Sequence, residues 1–169
     1  DGKSKRGTPP LETIIGFKVI DNGVGFNDDT MASFETLDSD YKANQGCRGV
    51  GRLLWLKAFG KVCVSSDFLD NAGIAKRRTF IFTAANGVDE IKLEDAPPET
   101  PLTTCVHLHG FTSSSRDKSA KTGRTLALSL LEHCLSHFVR EGGAPHIRIT
   151  EDMELNNLDD VYNAYMCSS

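Results

Sequence analysis

Two glycine-rich segments are the part of this sequence best suited to bind a ligand. The first covers residues 21–25 (DNGVG), and the second covers residues 46–51 (GCRGVG) and stands directly before an apolar helical pattern. A helix N-terminus offers unpaired backbone N–H groups and a partial positive charge, and glycines before it let a phosphate approach the backbone. We therefore expect Gly46, Gly49 and Gly51 to form a phosphate cradle.

Charged side chains in and around these segments suit a purine nucleotide. Lys42, Arg48 and Arg52 are cations close to the second segment, where they would neutralise phosphate charge. Asp21 ends a predicted strand in a tight turn, so its carboxylate would be held rigidly. The exocyclic amine of a purine donates hydrogen bonds and needs such an acceptor.

Spacing excludes two other nucleotide-binding motifs. The P-loop requires a glycine, four residues and then Gly-Lys-Ser/Thr, and no segment of the 169 residues has that pattern. The Rossmann fingerprint needs a third glycine after Gly23 and Gly25, but Asp28 stands at that position. Each glycine segment alone is also typical of an ordinary turn or helix start. Their order, with a long segment between them, favours a binding site.

The elements that must position these segments mix strands and helices. β-branched and apolar runs predict strands at residues 14–20, 61–66, 78–83, 88–93, 104–109 and 146–150, with a hairpin at Asn86-Gly87. Helical spacing of apolar residues predicts helices at residues 50–59, 125–139 and 158–165, the first of them closed by Gly60. We predict an α/β fold, a two-layer sandwich in which a mixed, mostly antiparallel sheet carries helices on one face.

The paired glycine segments resemble the two glycine boxes of the GHKL ATPase superfamily, which includes gyrase B, heat-shock chaperone ATPases, sensor histidine kinases and MutL proteins. The nearest likeness is to bacterial ATP-binding proteins of that group. In those proteins a Ser-Asp pair and a lysine precede Gly-x-x-Gly-x-Gly-Arg-x-x-Trp-Leu-Lys-Ala-Phe. Here these are Ser39, Asp40 and Lys42, with Tyr41 between Asp40 and Lys42, and the run covers residues 39–59. The resemblance extends over about residues 14–110 and implies a Bergerat-like fold that binds Mg-ATP.

The resemblance also implies a role for each matching residue. Asp21 would accept the adenine amine, and residues 26–45, which are acidic and lack periodicity, would form a mobile ATP lid. Thr104 matches a strand threonine near the adenine, although Thr103 stands where the family commonly has glycine. The implied cofactor-binding set is Asp21, Asn22, Gly23, Gly25, Lys42, Gly46, Arg48, Gly49, Val50, Gly51 and Thr104.

Members of the superfamily carry a further helix before the first strand. Its glutamate activates the attacking water, and its asparagine binds Mg²⁺. Only a short polar lead-in precedes Ile14 here, so we expect this chain to lack that helix and to be a piece of a longer protein. Because hydrolysis needs a general base close to the water, the catalytic residue stays unassigned.

Length and composition indicate one compact domain with reduced thiols. The 169 residues match the size of one domain, and five cysteines without a CxxC pair are typical of a cytoplasmic protein. Nineteen basic and 23 acidic residues give a net charge of −4, which argues against direct nucleic-acid binding, and no apolar run is long enough for a membrane span. We expect a flexible lead-in at residues 1–12, an ATP-binding core at 13–112 with its lid, and an extension of the same domain at 113–169.

Three functions stay open from the sequence. The first is an ATP-binding domain that couples its nucleotide state to a protein partner or an adjoining domain. The second is a catalytic domain of the histidine-kinase type, and the third is a binding module that keeps the fold without turnover. The histidine pairs 107/109 and 133/137 have spacings found in metal sites, but no HExxH motif is present and we predict no metal ligands.

Overall fold

The computed structural model describes residues 14–36, 51–97, 99–116, 122–138, 145–151 and 153–167. The chain divides into two compact units. Residues 15–118 form the larger unit, and residues 119–169 with residues 1–14 form the smaller one. Within the described ranges, no helix is both long and apolar enough to cross a membrane. The predicted lead-in at residues 1–12 lies outside them.

Strands and helices of the larger unit alternate only partly along the chain. Its described strands are β1 (Gly16–Asp21), β2 (Phe59–Leu69), β3 (Ala75–Thr83), β4 (Gly87–Asp95) and β5 (Thr104–Phe111). Its described helices are α1 (Asp28–Glu35), α2 (Gly51–Ala58) and α3 (Ser113–Arg116). The smaller unit contains α4 (Gly123–Phe138), β6 (Arg148–Glu151), β7 (Glu154–Asn157) and α5 (Leu158–Cys167).

The strands of the larger unit form one antiparallel sheet in the order β1-β5-β2-β3-β4. β3 and β4 meet at the predicted hairpin, where Gly87 has a φ of +68° that glycine adopts without steric cost. In the smaller unit, β6 and β7 pair antiparallel. The expected α/β class with a mostly antiparallel sheet is confirmed.

Helices cover one face of the sheet and close the hydrophobic core. Buried and more exposed positions alternate along β3 and along much of β2 and β5, as expected for a sheet with one covered face. Phe34 of α1 and Trp55 and Leu56 of α2 pack against this core. The buried core residues are Met31, Phe59, Val62, Val64, Phe80, Phe82, Val106 and Leu108.

Helix α1 lies inside residues 26–45, a segment that lacks periodicity in the sequence and for which a mobile lid is predicted. Asn27 caps the helix, because its side-chain Oδ1 accepts a hydrogen bond from the backbone N–H of Thr30 at 2.9 Å. Asp28 and Asp29 in the first turn complement the helix dipole. The helix has eight residues, too few for a clear periodic pattern in the sequence.

Two further element boundaries differ from the expected ones. Phe59 begins β2 directly after α2, so Gly60 lies in a strand and does not close the helix. The four-residue strand β7 had no signal in the sequence and is held by its pairing with β6. Both differences arise where tertiary pairing decides the backbone conformation over local propensity.

Candidate functional site

A pocket of about 300 Å³ opens where β1 ends, a volume at the lower limit of small-molecule sites. Its lining comes from the first glycine segment, α1, the start of α2 and the start of β5. The lining residues are Asp21, Gly23, Val24, Gly25, Phe26, Thr30, Ser33, Phe34, Arg52 and Thr104. The structure therefore brings together four residues of the predicted set: Asp21, Gly23, Gly25 and Thr104.

Asp21 and Thr104 lie opposite each other on the paired strands β1 and β5. Residues in register on neighbouring strands point to the same face of a sheet, so both side chains lie on the pocket side. Asp21 is exposed, and its Oδ1 accepts a hydrogen bond from the backbone N–H of Gly23 at 2.8 Å. This Asx-type turn restrains the carboxylate, which is thus a well-positioned acceptor at the pocket.

Ser66 connects the glycine segment to the two strands beneath it. Its Oγ accepts a hydrogen bond from the backbone N–H of Phe26 at 2.9 Å and lies 2.8 Å from the Thr104 Oγ1. Ser66 is fully buried. Ser66 is not among the predicted site residues, and its only signal in the sequence is its place in the alternation of β2, where an apolar residue is expected.

We expect Ser66→Ala to lower the free energy of unfolding of the larger unit by about 2 kcal/mol, because the Phe26 N–H and the Thr104 hydroxyl lose a buried partner. Ser65→Ala is the matched control, since Ser65 points to the opposite face and its side-chain hydroxyl makes no hydrogen bond with a described residue. Its expected change is within about 0.5 kcal/mol. Urea unfolding followed by the fluorescence of Trp55, the single tryptophan, measures both variants. Equal losses for the two serines would contradict this role.

Gly25 lets the turn approach the sheet closely. Its φ is +72°, a left-handed conformation that L side chains rarely adopt. A Cβ atom at this position would lie 2.7 Å from the Ser66 Oγ and 2.9 Å from the Phe68 Cβ. Both the backbone conformation and the available space therefore require glycine here.

Arg78 is a buried cation on β3, and it binds the end of the same glycine turn. Its Nη1 donates to the carbonyl oxygen of Phe26 at 2.6 Å, and its Nη2 donates to the Asp28 Oδ1 at 2.6 Å. The guanidinium also lies over the Phe68 ring, 5.2 Å from its centre. Arg78 thus joins the end of the glycine segment to the start of α1. The sequence predicts that Arg78 lies in a strand, but it contains no signal that Arg78 binds the turn and α1.

Arg52 is buried and binds the end of α1. Its Nη2 donates to the carbonyl oxygen of Thr36 at 2.6 Å, and its guanidinium lies 5.4 Å from the centre of the Phe34 ring. A cation at this position satisfies a terminal carbonyl and complements the helix dipole. Carbonyl oxygens leave the positive charge of Arg52 in place and Arg52 lines the pocket, so its role in neutralising phosphate stays a prediction.

The second glycine segment is described only at its last residue. Lys42, Gly46, Arg48, Gly49 and Val50 lie outside the described residues. Gly51 is the first residue of α2, is exposed, and has no atom within 4 Å of the position where a Cβ would lie. Asn22 is exposed in the turn and is not among the residues that line the pocket.

Histidines and other metal-binding side chains do not cluster in the described part of the chain. No group of three His, Cys, Asp or Glu side chains suited to a metal ion occurs among those residues. His107 and His109 stack on β5 with ring centres 3.6 Å apart, and His133 is exposed on α4.

Comparisons with known proteins were made for the whole chain. A scan against models of protein families found no match. A search of curated proteins found no match either.

Proposed function

We propose that the larger unit is an ATP-binding domain of the GHKL type. One observation carries the proposal. Asp21 and Thr104 lie opposite each other on the paired strands β1 and β5, and both line one pocket together with the glycine turn. A carboxylate, a hydroxyl and the two glycines of the turn together suit the polar edge of a purine. The resemblance of the two glycine segments to the GHKL boxes supports the same ligand.

In this proposal Asp21 recognises the exocyclic amine of adenine. Its Oδ1 is engaged by the Gly23 N–H, whereas its Oδ2 accepts no hydrogen bond from the described residues. Oδ2 would accept from the amine in a charge-assisted hydrogen bond. If the Ser66 hydroxyl donates to Thr104, the Thr104 hydroxyl proton is available to a ring nitrogen of the base.

The N-terminus of α2 would receive the phosphates. Gly51 begins this helix and is exposed, and backbone N–H groups at a helix start can bind a phosphate. The other proposed phosphate ligands are the backbone groups of Gly46, Gly49 and Val50, with Lys42 and Arg48 as cations. Mg²⁺ would bind together with ATP and neutralise part of its phosphate charge.

We expect Gly51→Val to weaken ATP binding about tenfold or more and adenosine binding much less, because the new side chain would keep a phosphate from the helix start. No atom of a described residue lies within 4 Å of a Cβ placed at this position, so we expect the variant to fold. Calorimetric titration of the variant with ATP and with adenosine measures both affinities. Equal losses for the two ligands would argue against a phosphate role for this helix start.

Part of the proposed lid is already anchored to the sheet. Met31 of α1 is buried, and the Phe34 ring packs against Phe26 and Phe82 at centre distances of 5.3 and 5.1 Å. Arg52 holds the end of α1 at Thr36, and the remaining part of the proposed lid, residues 37–45, lies outside the described residues. Lid closure on the γ-phosphate would change the conformation that a partner or an adjoining domain contacts.

The described residues leave side chains of β1 exposed on the helix-covered face of the sheet. Val19 is in register with the buried Val106 but is 49% exposed, and Val24 in the neighbouring turn is 70% exposed. A further helix of the kind that the resemblance implies would cover these side chains. We propose that an adjoining segment or a partner supplies it, with the general base for ATP hydrolysis.

A further inference from the structure

The smaller unit contains a pocket of about 480 Å³, a volume within the range of small-molecule sites. The residues that line it belong to α4, β7 and α5, so the pocket lies within that unit. On α4, Leu128 follows Arg124 by about one turn, and both therefore lie on one side of the helix. Residues 160, 161, 164 and 165 share one side of α5 in the same way.

Apolar side chains form much of the wall of this pocket. Leu128, Leu155 and Tyr165 line it and are exposed to solvent, and Val161 and Ala164 lie beside them in the lining. Single exposed apolar side chains are ordinary on a protein surface, but here five of them surround one cavity. An apolar group bound in the cavity would remove them from water, which favours binding.

One polar side chain of the pocket is buried without a hydrogen-bond partner. Asn156 on β7 lines the pocket, is only 8% exposed, and its Nδ2 makes no hydrogen bond with a described residue. A Cβ atom placed at Gly123 would lie 3.5 Å from this Nδ2 and 3.3 Å from the Glu151 Oε2, so the amide lies beside the start of α4. Glu151 Oε2 already accepts a hydrogen bond from the Gly123 N–H at 2.6 Å.

The unpaired amide of Asn156 indicates a ligand. Burial of an amide without a hydrogen bond destabilises a folded protein, and the large majority of buried polar groups are paired. A leucine is similar in size and would occupy position 156 without that cost. The chain instead carries here a group that both donates and accepts hydrogen bonds, in the lining of a pocket. A ligand with a complementary donor and acceptor would satisfy it.

The charges of the lining balance, which favours an uncharged ligand. Among the described residues that line the pocket, the charged ones are Arg124 on α4 and Asp160 on α5, and both are exposed. One cation and one anion give the lining no net charge, so it favours neither a carboxylate nor an ammonium group. The neutral group that presents a donor and an acceptor together is the peptide backbone.

We propose that this pocket binds a peptide-like ligand, an apolar residue of about the size of leucine with its own backbone N–H and C=O. The apolar side chain would lie against Leu128, Val161 and Tyr165. The Asn156 amide would donate to the carbonyl oxygen of that residue and accept from its N–H. A free acylated amino acid and an extended protein segment both present this chemistry. The site lies in the smaller unit, so the proposal does not depend on nucleotide binding.

The test follows the amide NMR signals of the full chain, including the side-chain NH₂ group of Asn156, during titration with N-acetyl-leucine N-methylamide. The signal that Asn156→Leu removes identifies that group. We expect saturable shifts of Asn156 and of backbone amides in α4 and α5. N-acetylglycine N-methylamide lacks the apolar side chain, and isoamyl alcohol lacks the peptide groups. Each should bind at least about fivefold more weakly than the leucine probe.

Three variants separate binding from folding. Asn156→Leu should weaken binding of the leucine probe about tenfold, because the hydrogen bonds to its backbone are lost. Asn163→Leu is the matched control, since Asn163 is exposed on α5 and is not in the lining, and its affinity should be unchanged. Hydrogen exchange of the α4 amides should be unchanged or slower in Asn156→Leu. Ala164→Phe, at an exposed position of the wall, should fill the pocket and abolish binding.

A response to the leucine probe that Asn156→Leu weakens would support the proposal. Tighter binding of acetyl-Ala-Leu-Ala amide would then identify a protein segment as the ligand, and equal binding would identify a free acylated amino acid. No saturable shift with the leucine probe at millimolar concentration would overturn the proposal. Equal affinities of Asn156→Leu and Asn163→Leu would overturn it too, as would faster α4 exchange in Asn156→Leu, which would show that the amide already stabilises the free protein.

Discussion

Asp21→Asn is expected to weaken ATP binding by about 10- to 150-fold, which corresponds to loss of a charged hydrogen bond of about 1.5–3 kcal/mol. The asparagine Oδ1 can still accept from the Gly23 N–H, so the turn should persist. The amide NH₂ would then face the adenine amine, and two donors cannot form a hydrogen bond with each other. Calorimetric titration with ATP measures the change.

Asp29→Asn is the matched control for this variant. Asp29 is exposed, lies in the same unit and is not among the residues that line the pocket, so the change removes the same charge without touching the site. Its ATP affinity should stay within about twofold of the original protein. Circular dichroism should show that both variants are folded. An unchanged affinity of Asp21→Asn would remove Asp21 from the site.

Gly25→Ala is expected to destabilise the larger unit by about 3 kcal/mol. The left-handed backbone costs an alanine about 1–2 kcal/mol, and the close contacts of its Cβ with Ser66 and Phe68 add a similar amount. Relief of these contacts would move the glycine turn away from the sheet, so ATP binding should fall as well. Urea unfolding followed by Trp55 fluorescence measures the stability.

Gly73→Ala separates the cost of the left-handed backbone from the cost of the close Cβ contacts. Gly73 has a φ of +78°, nearly that of Gly25, but no atom lies within 4 Å of a Cβ placed there. The control should therefore cost only about 1–2 kcal/mol, the penalty of the left-handed backbone alone. If Gly25→Ala were no more destabilising than Gly73→Ala, the close approach of the turn to Ser66 would not be required for stability.

The features that local sequence determines were predictable. The Asn86-Gly87 turn, the alternation of β5 and the position of Asp21 at the end of β1 each depend on a few neighbouring residues, and the structure contains all three. The sequence also placed α4 and α5 within a few residues of their observed ends. Each of these elements has either a turn motif or a periodic pattern of apolar residues that extends over several residues.

The features that depend on strand pairing were not predictable. No local pattern states that Thr104 lies opposite Asp21 or that Ser66 supports both, because these contacts join segments more than thirty-five residues apart. Arg78 and Arg52 are long charged side chains that normally remain in water, and their burial depends on carbonyl groups that α1 and the turn supply. β4 also contains a β-bulge at Glu90, which arises from the register between β3 and β4 and not from the local composition.

The most direct measurement is calorimetric titration of the 169-residue chain with ATP, ADP and a non-hydrolysable ATP analogue, with and without Mg²⁺. Saturable binding of ATP and the analogue that is weakened by Asp21→Asn is the expected result, and it would establish the pocket at the end of β1 as a nucleotide site. Absence of binding at millimolar nucleotide, in protein shown by circular dichroism to be folded, would contradict the proposed function.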